Sequence, residues 1–96
     1  MAAYFVAQVD IHDRAGYERY MQAAAAAGMP AGIRVLAMDD RPTVLEGKWH
    51  GPKTIILEFP SEQALRSWYD SPGYQAAAKL RWAATTSNVA MVKGVE

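Results

Sequence analysis

The chain contains no cysteine. Disulfides, thiolate nucleophiles and thiolate metal sites are excluded together. It has no excess of either charge, because 10 Lys and Arg balance 10 Asp and Glu. A protein that tracks a phosphate backbone normally shows a basic patch or a high isoelectric point. No basic run exists here, so nucleic acid is not an expected partner. Long apolar runs are missing too. A membrane helix needs about 20 apolar residues, and the longest weakly polar tract, 23–33, is interrupted by Gly28, Pro30 and Gly32. The first ten residues carry no basic segment and end at Asp10, so they read as a strand rather than an export signal. These absences predict a soluble, cytoplasmic protein with no membrane partner.

What is present is apolar material: 51% of the 96 residues are hydrophobic. That length argues for one domain. A domain this small buries only about 60–65% of its unfolded surface and is marginal alone. Residues 3–12 alternate, with Phe5, Ala7, Val9 and Ile11 on one side and Tyr4, Val6, Gln8, Asp10 and His12 on the other. Period two with aromatic and β-branched residues predicts a strand. Asp13 then caps a helix whose inward face is Tyr17, Tyr20, Met21 and Ala24, at i, i+3, i+4 and i+7. Gly28, Pro30 and Gly32 end it.

Residues 33–38 read as a second strand, with Ile33, Val35 and Ala37 on one side and Leu36 and Met38 on the other. A turn follows at 39–42, then a short strand at 43–47 and a loop at 48–53. Residues 54–59 form the next strand, stopped by Pro60. Ser61 caps a helix bearing Leu65, Trp68 and Tyr69 on one face. Ser71 and Pro72 restart it, since Ser caps and Pro at the first helical position loses no hydrogen bond. This second piece runs to about Ala84 with Ala77 and Leu80 inward, and 88–95 is the last strand.

The order β-α-β-β-α-β predicts a ferredoxin-like α+β fold, a four-stranded antiparallel sheet with helices on one face. The strands carry apolar residues on both faces, and the helices cover only one. A second copy laid sheet to sheet is the economical cover, so the expected partner is the chain itself, as a homodimer.

Three segments, VLEGKW (44–49), ILEFPSEQALRSWYDSPGYQAA (56–77) and the terminal NVAMVKGV, resemble the bacterial family called "domain of unknown function thirteen-thirty". The resemblance runs end to end from Ala3 and is most specific over the EFPS…WYDSPGYQ block. It implies a dimeric α+β barrel, an architecture also used by cofactor-free monooxygenases and haem-degrading enzymes. It assigns no activity. The chain departs from the family pattern at Ala37, where an arginine is usual, and at Gly73, where an acid is.

Candidate chemistry is sparse. The fold brings Asp10, His12, the His50 loop, Lys53 and Asn88 to one edge of the sheet. An Asp10–His12 pair is a candidate general base, because a carboxylate orients an imidazole. The alternatives are a metal site or ordinary strand-end hydrogen bonding, and no metal is assigned. Glu58, mid-strand, is either a pocket acid or half of an ion pair on the dimer face. Trp49, in a glycine-proline loop, reads as a plug over the sheet edge. Glycine-rich phosphate loops, HExxH and GxSxG are absent, so no cofactor is expected. The expected pocket for a small-molecule ligand lies between the sheet and the broken second helix. Trp68, Tyr69, Tyr74 and Glu58 line it, with Asp10 or His12 at the rim and Trp49, His50 and Asn88 nearby. The competing reading is a non-catalytic dimerisation or interaction module. A cavity of about 300 Å³ or more near those tyrosines separates the two.

Overall fold

A computed structural model describes residues 1–95. The element order is β1 (Ala3–Ile11), α1 (Arg14–Ala27), β2 (Arg34–Asp39), β3 (Lys53–Phe59), α2 (Glu62–Tyr69), α3 (Pro72–Ala84) and β4 (Thr85–Lys93). The strands form one antiparallel sheet in the order β2-β3-β1-β4. This is the ferredoxin-like α+β fold, with β1 between β3 and β4.

The alternation of β1 decides the two faces. Ala3, Phe5, Ala7 and Val9 are buried beneath the helices, while Tyr4, Val6, Gln8 and Asp10 are half-buried on the open face. Phe5 meets Trp68 edge-on at 5.4 Å between ring centroids, and Phe59 meets the same ring at 5.2 Å. Each such aromatic pair is worth about 1 kcal/mol beyond its buried area.

Caps set the helix ends. Asp13 accepts from the Gly16 amide, Ser61 from Ala64 and Ser71 from Tyr74. Gly28, at φ +85°, closes α1 in a conformation that side chains avoid. The α2–α3 elbow is held from both sides. Ser71 also donates its hydroxyl to the Trp68 carbonyl at 2.7 Å, and Gln75 Nε2 donates to the Tyr69 carbonyl at 2.7 Å.

Three sequence expectations need correction. Residues 43–47 form no strand; Val44 and Leu45 are exposed, so pairing them gains no burial. The last strand starts at Thr85, three residues earlier than expected, because α3 passes straight into it. The Thr85 hydroxyl donates to the Arg81 carbonyl, and the His12 and Asp13 amides both donate to the Ala84 carbonyl, which pins the junction. Finally, β2 carries a bulge between Val35 and Ala37. Val35 pairs with Leu57 and Met38 with Ile55, so both lie on the helix side. Ala37 pairs with Ile56 and Arg34 with Glu58, on the open side. The expected grouping of Val35 with Ala37 therefore fails, since one extra residue shifts the phase of a period-two strand.

Candidate functional site

The bulge shapes an apolar cavity between α1 and the β2–β3 pair. With Val35 and Met38 turned toward α1, they join Ile55 and Leu57 as its sheet-side wall. Met21 and Ala24 come from α1, Met29 from the segment after it, and Trp68 closes one end. The volume is about 180 Å³. Every residue lining it is uncharged. Met21, Met29 and Met38 are part-exposed at its mouth, and thioethers adapt readily to apolar guests.

Tyr17 and Tyr20 also line this cavity. Their rings lie 5.5 Å apart. The Tyr20 hydroxyl is hydrogen-bonded to that of Tyr74 at 2.9 Å. Burial first, then the Tyr74 hydroxyl, hold Tyr20 well above the ordinary tyrosine range. The Tyr17 hydroxyl is buried without a partner, and burial raises its pKa too.

Arg81 completes this polar cluster. An arginine on a helix is ordinarily solvated, yet Arg81 is 3% exposed. The spacing Tyr74, Ala77, Arg81, Ala84 is the buried stripe of α3. The small alanines leave room for the long side chain. Arg81 Nη1 donates to Ser87 Oγ at 2.7 Å, while Nε and Nη2 lack partners. The guanidinium lies 5.6 Å from the Tyr20 ring centroid. Desolvation opposes its charge, but the Tyr74 and Tyr20 hydroxyls hold its pKa above the ordinary value.

The residues singled out from the sequence fall in other places. Trp68 lines the cavity. Tyr74 is 1% exposed and sealed against Trp68 at 4.1 Å between centroids. Tyr69 is half-buried on the β4 side, where it borders an open depression of about 240 Å³ with Phe5, Leu65 and Met91. Neither the cavity nor this depression reaches the expected 300 Å³; an open hollow of about 390 Å³ lies beside Trp68 and Ser71. Glu58 does not join them. Its cross-strand partner is Tyr4, which places it on the open face. There it accepts from the Tyr4 hydroxyl at 3.2 Å and pairs with Arg34 at 3.2 Å. The ion-pair alternative describes it, and the sheet separates it from the helices.

Asp10 and His12 do come together at one edge with His50, but around Thr86. His12 Nε2 is hydrogen-bonded to Thr86 Oγ1, His50 Nε2 contacts the Thr86 carbonyl at 3.1 Å, and Asp10 is the cross-strand partner of Thr86. His12 thus binds a threonine rather than a carboxylate. Among the described residues no group of three His, Asp or Glu side chains has metal-site geometry. Asn88 faces Gln8 across the open face and is exposed. Trp49 is half-exposed and donates to Thr54 Oγ1 at 2.9 Å, which ties its loop over the start of β3. The loop is drawn close to β1 at Gly51, where a Cβ would stand 2.6 Å from the Val9 carbonyl carbon.

The methionines and Val35 escaped sequence reading as site residues. The missing signal is the bulge, which has no glycine to mark it.

Comparison with known proteins bears on the fold and the family. No curated protein matches the chain. Among solved structures, a protein of unknown function from Rhodopseudomonas palustris superposes with a TM-score of 0.79 at 20% identity, over 99% of this chain and 83% of that one. SnoaB, a cofactor-independent oxygenase from Streptomyces nogalater, gives 0.66 at 19% identity, over 99% and 94%. A dimeric ferredoxin-like protein of unknown function from Jannaschia sp. CCS1 gives 0.68 at 15%, over 98% and 100%. At such identities the likeness establishes the fold. A family model described as "Domain of unknown function (DUF1330)" matches residues 2–95, and the chain therefore belongs to that family.

Proposed function

We propose that this chain is a cytoplasmic small-molecule binding protein that works as a homodimer, with its ligand in the cavity between α1 and the β2–β3 pair. The observation that carries the reading is the cavity itself. An uncharged space of about 180 Å³, walled by aromatic rings and methionines, sits in a domain too small to leave apolar volume unused without cost.

The dimer half of the reading rests on the open face. Val6, Ile56, Ala37 and Ala90 give it an apolar centre, and Tyr4, Glu58, Gln8 and Asn88 give it a polar surround. That is the pattern of a sheet-on-sheet interface. The dimeric Jannaschia protein of the same fold supports it. In solution the protein is expected to scatter light with the mass of two chains at micromolar concentration; the mass of one chain overturns this half.

SnoaB, a cofactor-independent oxygenase, has this fold, but the catalytic candidates of this chain stand apart from the cavity. Asp10 and Glu58 lie on the open face, across the sheet from the cavity, and His12 is bound to Thr86 at the sheet edge. The binding half is tested by a thermal-shift screen of small apolar compounds. A ligand at about 100 times its Kd adds about 2.7 kcal/mol. For a domain of this size that is about 10 °C or more. A second reading, a non-catalytic interaction module, is favoured by the small size of the cavity and of the depression beside Tyr69, each under 300 Å³. A screen in which no compound class moves the midpoint supports it.

A further inference from the structure

Sulfur occurs in this chain only as thioether, since it has 5 methionines and no cysteine. Reversible oxidation of a side chain by a peroxide therefore falls on methionine. Three of the five converge on one place. Met21 comes from α1, Met29 from the segment after it and Met38 from β2, and all three line the apolar cavity. They are 40%, 49% and 51% exposed, so they stand at its mouth within reach of solvent. Met38 pairs with Ile55, which puts it on the helix side of the sheet, away from the face assigned to the dimer.

Packing does not demand sulfur at these positions. Leucine conserves the volume of methionine and fills a part-exposed apolar position equally well. What leucine lacks is an atom that a peroxide can oxidise. The thioether is apolar and flexible, whereas its sulfoxide is polar and chiral. The remaining walls of the cavity are mainly aromatic and aliphatic, among them Phe5, Val35, Ile55, Leu57 and Trp68. An apolar guest that dries the mouth would strip water from sulfoxide dipoles and return no hydrogen bond to them.

We propose that Met21, Met29 and Met38 form an oxidation site, at which a hydroperoxide closes the cavity to apolar guests. The thioether sulfur attacks one peroxide oxygen. The O–O bond breaks, the S–O bond forms, and the proton goes to the departing oxygen. Sulfur gives up two electrons, and the peroxide is reduced to water or an alcohol. Methionine sulfoxide reductases reverse the step, one enzyme for each sulfoxide epimer. This rests on the binding reading above and adds its regulation.

The test treats the protein with hydrogen peroxide, removes the peroxide and titrates p-xylene by calorimetry. Peptide mass spectrometry counts the sulfoxides at each methionine, and circular dichroism follows the fold. Untreated wild type is expected to bind p-xylene, and the oxidised protein to bind about tenfold more weakly or worse, with its fold intact. Both sulfoxide reductases together should restore the affinity. Met91→Leu, outside this cavity, should lose affinity on oxidation as the wild type does. The triple variant Met21→Leu, Met29→Leu, Met38→Leu, compared with its own untreated sample, should lose none. The reductase arm decides the matter in the wild type even where the triple variant fails to fold. An affinity unchanged while all three are sulfoxides overturns the proposal. So does an equal loss in the triple variant, a loss the reductases do not reverse, or a loss that accompanies unfolding. Mouth methionines that stay reduced while Met1, 65% exposed, is fully oxidised overturn it too, because they are then shielded in solution. If untreated wild type does not bind p-xylene, the binding reading itself falls and this one with it.

Discussion

Replacing Arg81 by methionine should stabilise the protein. Arg81 is 3% exposed, and it forms none of the ion pairs among the described residues. Its removal loses the 2.7 Å hydrogen bond to Ser87, worth about 1.5–3 kcal/mol for a charged donor. It also loses the contact with the Tyr20 ring, worth about 1–2 kcal/mol when desolvated. Against this stand two orphaned donors, Nε and Nη2, at about 1–3 kcal/mol each. The desolvation of the charge adds to this, offset by the neighbouring Tyr74 and Tyr20 hydroxyls. Methionine keeps the unbranched stem, so the alanine-lined slot stays filled. The balance favours Arg81→Met by about 1–3 kcal/mol. Urea denaturation followed by circular dichroism, at fixed protein concentration, should show a midpoint raised by about 1–2 M with an unchanged slope. Arg81→Lys, which keeps the charge but loses the fork, should be less stable than wild type. If Arg81→Met instead lost more than about 2 kcal/mol, the guanidinium would have to be well paired in solution, and the reasoning from its orphaned donors would be wrong.

Two further outcomes follow from caps and burial. Ser71→Ala removes the cap of α3 and the bond to the Trp68 carbonyl, so it should cost about 1–2 kcal/mol and lower the thermal midpoint by several degrees. An unchanged midpoint would assign the elbow to Gln75 and the Arg66–Asp70 pair instead. Tyr20 has a folded pKa raised above its unfolded value of 10.0, so its contribution is complete below pH 10 and declines as pH rises toward the folded value. Stability should fall by up to about 1.4 kcal/mol per pH unit per tyrosine above about pH 10. Tyr20→Phe should flatten that fall in denaturation series run across the alkaline range, and an equal slope in both proteins would contradict the assignment.

The sequence carries the fold further than the site. The strict alternation of β1 makes its buried face legible, and Asp13, Ser61 and Ser71 announce their helices because each cap satisfies a specific orphan amide. The sheet order follows from element order alone. The cavity does not follow, because it depends on the bulge at Leu36. A bulge without glycine leaves no local mark, and without it Val35 and Met38 are read onto opposite faces. Glu58 illustrates a related limit. Period two separates Thr54, Ile56 and Glu58 from Leu57 and Phe59, but only the pairing with Tyr4 and Phe5 says which set meets the helices. Arg81 misleads for another reason. Residue type suggests solvent, while its position in the stripe of Tyr74, Ala77 and Ala84 dictates burial. The 43–47 segment has strand-like composition, but a strand needs a partner and burial, and it finds neither.

The central claim is that a small apolar ligand occupies the space between α1 and β2. The chain's 5 methionines give a direct reading of it. Met21, Met29 and Met38 line that cavity; Met91 borders the separate depression beside Tyr69, and Met1 borders neither. With methyl-labelled methionine, titration of p-xylene followed by NMR should move the Met21, Met29 and Met38 resonances together and leave Met1 and Met91 in place. Shifts confined to Met91 would put the ligand beside Tyr69 instead, and an unmoved spectrum would contradict the binding site altogether.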